Sequence, residues 1–287
     1  MHRDDITNMN KAVEEVVEVV EVVEVVEVVE EVGAKVVVLG ATGATGSLVV
    51  TQLLKENIEV IAIVRSADNL PVKAFESSAV QVIEAEITHM RTEDLASIIA
   101  GCDAVISCLG HNLSFKGIYG QPKKLVTQAV EKVYKALQLT TSASGPELKA
   151  KMKTKFILMN TTGNSNRDIP EVAPLSQRFV IAIIRKLLPP HLDNELAADF
   201  LRQELGQDNS LLEWVVVRPD GLFDEDEVTV YDTHVSPTRN AIFDAGTTSR
   251  INVASFMVRL VSEDILWSHW KGKMPVIYNR DKNSYSL

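Results

Sequence analysis

Three glycines spaced evenly between an apolar run and an amphipathic segment constrain this chain more than any other feature. Residues 35–40 read Lys-Val-Val-Val-Leu-Gly, a short apolar run ending in glycine, which is the pattern of a strand buried on both faces. Residues 44–55 read as a helix, with Leu48, Val49, Leu53 and Leu54 apolar. Between them runs Gly-Ala-Thr-Gly-Ala-Thr-Gly, residues 40–46. Glycine lets the backbone turn tightly and come close to a pyrophosphate, and a helix N-terminus offers free N–H groups and a positive dipole end. The first gap is one residue longer than in the Gly-x-Gly-x-x-Gly fingerprint. The strand and helix around it supply the context that fingerprint requires. Gly40, Thr42, Gly43, Ala44, Thr45 and Gly46 are therefore the candidate phosphate cradle.

The rest of the chain repeats the alternation. Strands are expected at residues 58–64, 80–83, 104–109, 155–160, 214–217 and 275–278. Helices are expected at 92–100, with Thr92 as its cap and Glu93 and Asp94 in the first turn, and at 123–138, with Leu125, Ala129, Val133 and Leu137 on one face. Such alternation specifies a mostly parallel sheet flanked by helices and joined by right-handed crossovers. The fold class is a single Rossmann-like, doubly wound α/β domain over residues 34–287, with the C-terminal half supplying a substrate lobe.

The end of the second strand bears on which nucleotide is bound. An NAD site places Asp or Glu there for the ribose hydroxyls. This chain has Arg65 and Ser66. Arginine can hold a 2′-phosphate and stack on adenine, and serine can add a hydrogen bond. NADP(H) is the expected cofactor.

Residues 40–46 with Arg65 and the strand–helix alternation resemble the short-chain dehydrogenase/reductase superfamily. More narrowly they resemble its atypical NAD(P)H-binding, NmrA-like branch, which includes flavin/biliverdin-IXβ reductases. Glu84-Ala-Glu86-Ile87 resembles the segment whose acid and next residue flank the adenine, which implies that role for Glu86 and Ile87. Cys108-Leu109-Gly110 resembles the turn where the fourth strand passes the ribose, and Val217-Arg218-Pro219 with Gly221-Leu222 resembles the Arg-Pro-x-x-Leu element. The resemblance thus adds Leu109, Gly110, Asn160 and Pro219 to the cofactor set. Residues 249–254 resemble the Ser-Arg-x-Asp-Val-Ala helix start, with Asn252 replacing the acid.

Typical members carry Tyr-x-x-x-Lys after the fifth strand, where the tyrosine donates a proton. No tyrosine lies between Tyr134 and Tyr231, and Tyr119-Gly-Gln-Pro-Lys123 matches only in letters, because Pro122 interrupts the helical turn. Proton delivery then falls to Thr161, Thr162, His111, Tyr119 or solvent. His111 reads equally as a surface histidine with a satisfied hydrogen bond. Two functions stay open. One is an NADPH-dependent oxidoreductase of the atypical short-chain type, passing hydride to a small conjugated or aromatic acceptor such as a flavin or quinone. The other is a non-catalytic NADP(H)-binding regulator or interaction protein. A nucleotide-sugar epimerase fits less well, since that chemistry uses the missing Tyr and Lys.

Residues 13–32 hold twelve Val and eight Glu and nothing else. Three residues advance a helix by about 300°, so a Val-Val-Glu repeat keeps no fixed apolar face. We expect residues 1–33 to form a low-complexity extension, disordered or weakly helical, with partner binding or self-association through 13–32 as the sharper alternative. Glu at every third residue argues against a membrane span, and the N-terminus lacks an uninterrupted apolar core for a signal peptide. The net charge of −10 comes mostly from this tract, whose removal leaves 31 acids against 29 bases. Such a balance speaks against nucleic-acid binding, and the cytoplasm is the default location. Cys102 and Cys108 stand about 20 Å apart on an extended strand and cannot pair. The six histidines show no metal-ligand spacing, so no metal is expected. The apolar stretch 179–188 is read as core or pocket lid, and the acidic stretch 224–227 as a solvated loop.

Overall fold

The computed structural model describes residues 33–71, 76–111, 119–143, 153–171, 175–240 and 244–280. The Val/Glu tract lies outside them. The first strand, β1 (Lys35–Leu39), pairs in parallel with both β2 (Glu59–Val64) and β4 (Ala104–Ser107). β3 (Val80–Glu84) flanks β2. On the other side follow β5 (Thr154–Met159), β6 (Leu212–Pro219), β10 (Val276–Asn279) and β8 (Tyr231–His234). The order across this eight-stranded sheet is β3-β2-β1-β4-β5-β6-β10-β8, parallel throughout except for the β10–β8 pair. A small parallel pair joins β7 (Gly221–Phe223) to β9 (Thr247–Ser249).

Alternation along β1 sets up two cores. Val36 and Val38 face α1 (Ala44–Lys55), α6 (Arg250–Ser262) and α7 (Asp264–Trp270) through Val49, Leu53, Phe256 and Trp267. Val37 and Leu39 face α2 (Thr92–Ile99), α3 (Leu125–Ala143), α5 (Pro189–Asp199) and a π-helical turn, Phe200–Leu205, through Leu95, Val130, Ala197 and Leu201. This is the Rossmann-like, doubly wound single domain the sequence predicts. The remaining helix, α4 (Leu175–Leu187), leads into α5.

Several local expectations change. Thr92 is the first residue of α2 rather than its cap: Arg91 holds the cap position without a side-chain cap bond and pairs instead with Asp94, Nη2 to Oδ1 2.6 Å. The fourth strand stops at Ser107, two residues early, although the Cys108 N–H still reaches the Leu39 carbonyl at 2.9 Å. Strands β7, β8 and β9 fall between the expected strands at 214–217 and 275–278, where the sequence pattern predicts none. The acidic stretch is not simply solvated: Glu225 accepts from the Thr229 hydroxyl and the Asn279 amide, and Asp224 pairs with Arg250.

Asn252 repays its departure from the family pattern. It is fully buried, its N–H is capped by Ser249, and its amide donates to both Thr229 and Asn279. A carboxylate in its place could make neither donation. Arg218 plays a comparable part at the end of β6. It is fully buried, pairs with Glu171 at 2.7 Å and donates to the carbonyls of Asn164 and Met274. Removing one partner of such a pair leaves an uncompensated buried charge. Arg218→Met is therefore expected to cost about 3–5 kcal/mol in chemical denaturation, with part regained in Arg218→Met/Glu171→Leu.

Candidate functional site

Steric contact explains the glycine spacing. Gly40 sits at φ +77°, where a Cβ would meet the Cys108 carbonyl at 2.9 Å. At Gly46 a Cβ would lie 2.1 Å from the Gly40 oxygen. The loop can close only with glycine at both positions, and Gly43 N–H to Gly40 O, 3.0 Å, locks the turn. Gly43 is the extended N-cap of α1 and offers no side-chain acceptor. The amides of Ala44, Thr45 and Gly46 consequently remain for a ligand. Thr45 is buried, whereas Gly43 and Ala44 are exposed at the mouth of the cradle. The geometry fits a pyrophosphate: the backbone closes where a side chain would stand, and amides converge on the opening.

The residues expected to meet the adenine lie past β2 and β3. Arg65 is exposed, and no hydrogen bond or ion pair engages its side chain among the described residues. Ser66 donates to Asp68 at 2.7 Å, and the Ala67 N–H donates to Glu84 at 2.8 Å. Glu86 accepts from Thr88 at 3.0 Å, and Ile87 is buried. The sequence reading thus missed two carboxylates, Asp68 and Glu84, close to Arg65.

At the other end, the turns after β4 and β5 meet α5. Leu109 and Gly110 follow β4, and a Cβ at Gly110 would meet nothing within 4 Å. His111 is not at the surface. Its side chain is 6% exposed and its Nε2 lies 2.9 Å from Asp193 Oδ2. Asp193 also accepts from the N–H groups of Val126 and Thr127 and from the Thr127 hydroxyl, so it caps α3 from another helix. This displaced cap is why α3 starts at Leu125. Burial raises the Asp193 carboxyl, but hydrogen bonds from His111, Thr127 and Val126 outweigh it and hold the group below the usual carboxylate range.

After β5, Asn160 donates to the Asn194 carbonyl at 2.9 Å and accepts from the Thr161 N–H. Thr161 Oγ1 accepts from the Gly163 N–H at 3.2 Å, which leaves its O–H free to donate. Thr162 is buried, its amide on the Pro219 carbonyl and its hydroxyl on Asp220. Burial raises the Asp220 carboxyl above the usual range. Tyr119 is exposed and donates to the Leu187 carbonyl at 3.2 Å. Thr161, Asn160 and His111 are thereby gathered around α5, while Thr162 and Pro219 lie toward β6. Burial pushes the Cys108 thiol up to about 12, away from the thiolate form.

Sequence comparison places the cradle in a known group, because the sequence model for NAD(P)H-binding proteins matches residues 40–264. The chain belongs to the NAD(P)H-binding family. A search among curated proteins returns no match. Among solved structures the fold resembles an oxidoreductase from Lactococcus lactis, 18% identical over 86% of this chain and 91% of that one, TM-score 0.58. It also resembles a short-chain dehydrogenase/reductase from Veillonella parvula in complex with NADP, 14% identical over 86% and 94%, TM-score 0.60. A third is a Streptococcus pneumoniae protein provisionally assigned as an NADH-flavin reductase, 21% identical over 86% and 100%, TM-score 0.56. The likeness to these structures shows a shared fold. Among the described residues no cluster of His, Cys, Asp or Glu could hold a metal, and no helix is long and apolar enough to cross a membrane.

Two outcomes follow from this geometry. Gly46→Ala forces the loop open and is expected to cost about 1–3 kcal/mol by denaturation while weakening NADPH binding by fluorescence titration. Because Asp193 titrates lower in the folded protein than unfolded, its stabilising contribution is present above the unfolded carboxylate pKa and is lost as pH falls through the folded value. A stability series below neutral pH is expected to decline more steeply for the unmodified protein than for Asp193→Asn.

Proposed function

We propose that the protein is an NADPH-dependent oxidoreductase that reduces a small conjugated or aromatic acceptor. The observation that carries this reading is that the cradle after β1 and the turns after β4 and β5 follow the carboxyl ends of three neighbouring parallel strands. In a doubly wound sheet a dinucleotide lies across the point where strand order reverses, here between β1 and β4. The amides of residues 44–46 would hold the pyrophosphate, and Ile87 and Glu86 would flank the adenine. Leu109, Gly110, Asn160 and Pro219 would line the ribose and nicotinamide end. The nicotinamide supplies hydride when bound. The protein's part is to orient the ring, exclude water and provide a proton.

Arg65 supports the NADPH preference, since its guanidinium is free to meet a 2′-phosphate. Asp68 opposes it by occupying the Ser66 hydroxyl. The acceptor class draws support from an apolar rim: Tyr119, Leu187, Leu188 and Leu192 are exposed around the β5 turn and α5. An acceptor that already delocalises charge needs less help from an enzyme acid than a simple ketone does.

NADPH is expected to bind more tightly than NADH by fluorescence titration. Arg65→Ala is expected to weaken NADPH roughly tenfold or more with little effect on NADH, the scale of one hydrogen bond to a charged group. Equal affinity of the unmodified protein for both nucleotides would contradict the preference. Absence of NADPH oxidation across quinones, flavins and aldehydes, with binding intact, would favour a non-catalytic NADP(H)-binding protein.

A further inference from the structure

Helix α5 brings a second histidine to this site that the sequence reading did not single out. His191 packs against the turn after β5: a Cβ at Gly163 would lie 3.3 Å from its Cε1, 3.7 Å from its Nδ1 and 3.7 Å from Thr161 Oγ1. The Cε1–Nδ1 edge of the ring therefore faces the Thr161–Gly163 backbone. The opposite nitrogen, Nε2, lies 3.4 Å from Glu195 Oε1, one helical turn on, and pairs with it when the ring is protonated. Burial pushes the Glu195 carboxyl up, but His191 and Arg185 outweigh it and hold Glu195 below the usual range.

We propose that His191, oriented by Glu195, donates the proton that accompanies hydride transfer. This rests on the oxidoreductase reading above. The acceptor takes a hydride from the nicotinamide and a proton from His191. The imidazolium Nδ1–H bond breaks, an O–H or N–H bond forms on the reduced acceptor, and water reprotonates the neutral ring. Helix α5 lies between β5 and β6 in the chain, a stretch that holds no tyrosine. Glu195 is a positioning residue. It reaches the ring from the same helix, while Arg185 from α4 and Arg167 from the β5–α4 loop hold its other side. Further along the same helix, Asp193 is paired with His111, and Asp199 with Arg167 and Arg202.

The test combines a titration with kinetics on the full chain. Histidine ring resonances are followed by NMR with and without NADP+, with His191 assigned by its loss in His191→Gln or by its contact to Gly163 if that variant misfolds. The His191 signal is expected to move on NADP+ binding and to titrate over the same pH range as the alkaline fall in kcat. His191→Gln is expected to lose about 100-fold or more in kcat, together with that alkaline limb, at unchanged NADPH affinity. Glu195→Gln is expected to move the limb to lower pH. A His191 signal indifferent to NADP+ overturns the proposal, as does a His191→Gln enzyme with an unchanged pH profile. Failure of the oxidoreductase reading looks different: the unmodified protein binds NADPH and oxidises none of it.

Discussion

Everything at this site depends on one backbone contact. Gly46 Cα approaches the Gly40 carbonyl so closely that no side chain fits between them. This approach fixes the angle at which α1 leaves β1 and aims the amides of its first turn into the crevice. It also presses Gly40 against the end of β4. The two strands on either side of the sheet's reversal point are therefore held together by the same loop that forms the cradle. Burial of β1 on both faces makes the arrangement rigid, since Val37 and Val38 anchor opposite cores.

Helix α5 is the counterpart at the other end. Its Asp193 caps α3 and orients His111, its Asn194 carbonyl receives Asn160, and its His191 lies on Gly163. The turns after β4 and β5 are thus fastened to a single helix. Pro189 and Pro190 start that helix, where a missing N–H costs nothing. The exposed apolar residues at the α4–α5 corner stand beside this assembly.

Short-range features were legible in the sequence and long-range ones were not. The β1–loop–α1 unit could be read because its signals lie within about twenty residues and rest on backbone sterics. Arg65 stood out because the residue type expected there is an acid. His111 drew attention by following Gly110, but its buried pairing with Asp193, 82 residues away, has no sequence pattern. The Thr92 cap failed because Arg91 and Asp94 satisfy that helix end through their own ion pair. Asp68 and Glu84 had no sequence signal, because only the folded turn brings them onto Ser66 and Ala67. His191-x-x-x-Glu195 was the available signal for the second histidine, an i, i+4 pair in the first turns of a helix begun by two prolines.

A crystal structure of the NADP+ complex tests the central claim most directly. It should show pyrophosphate oxygens on the amides of residues 44–46, the 2′-phosphate at Arg65, and the nicotinamide at the Thr161–Gly163 turn within reach of His191. A pyrophosphate bound away from the glycine loop, or a nicotinamide turned away from the β5 turn and α5, would contradict it.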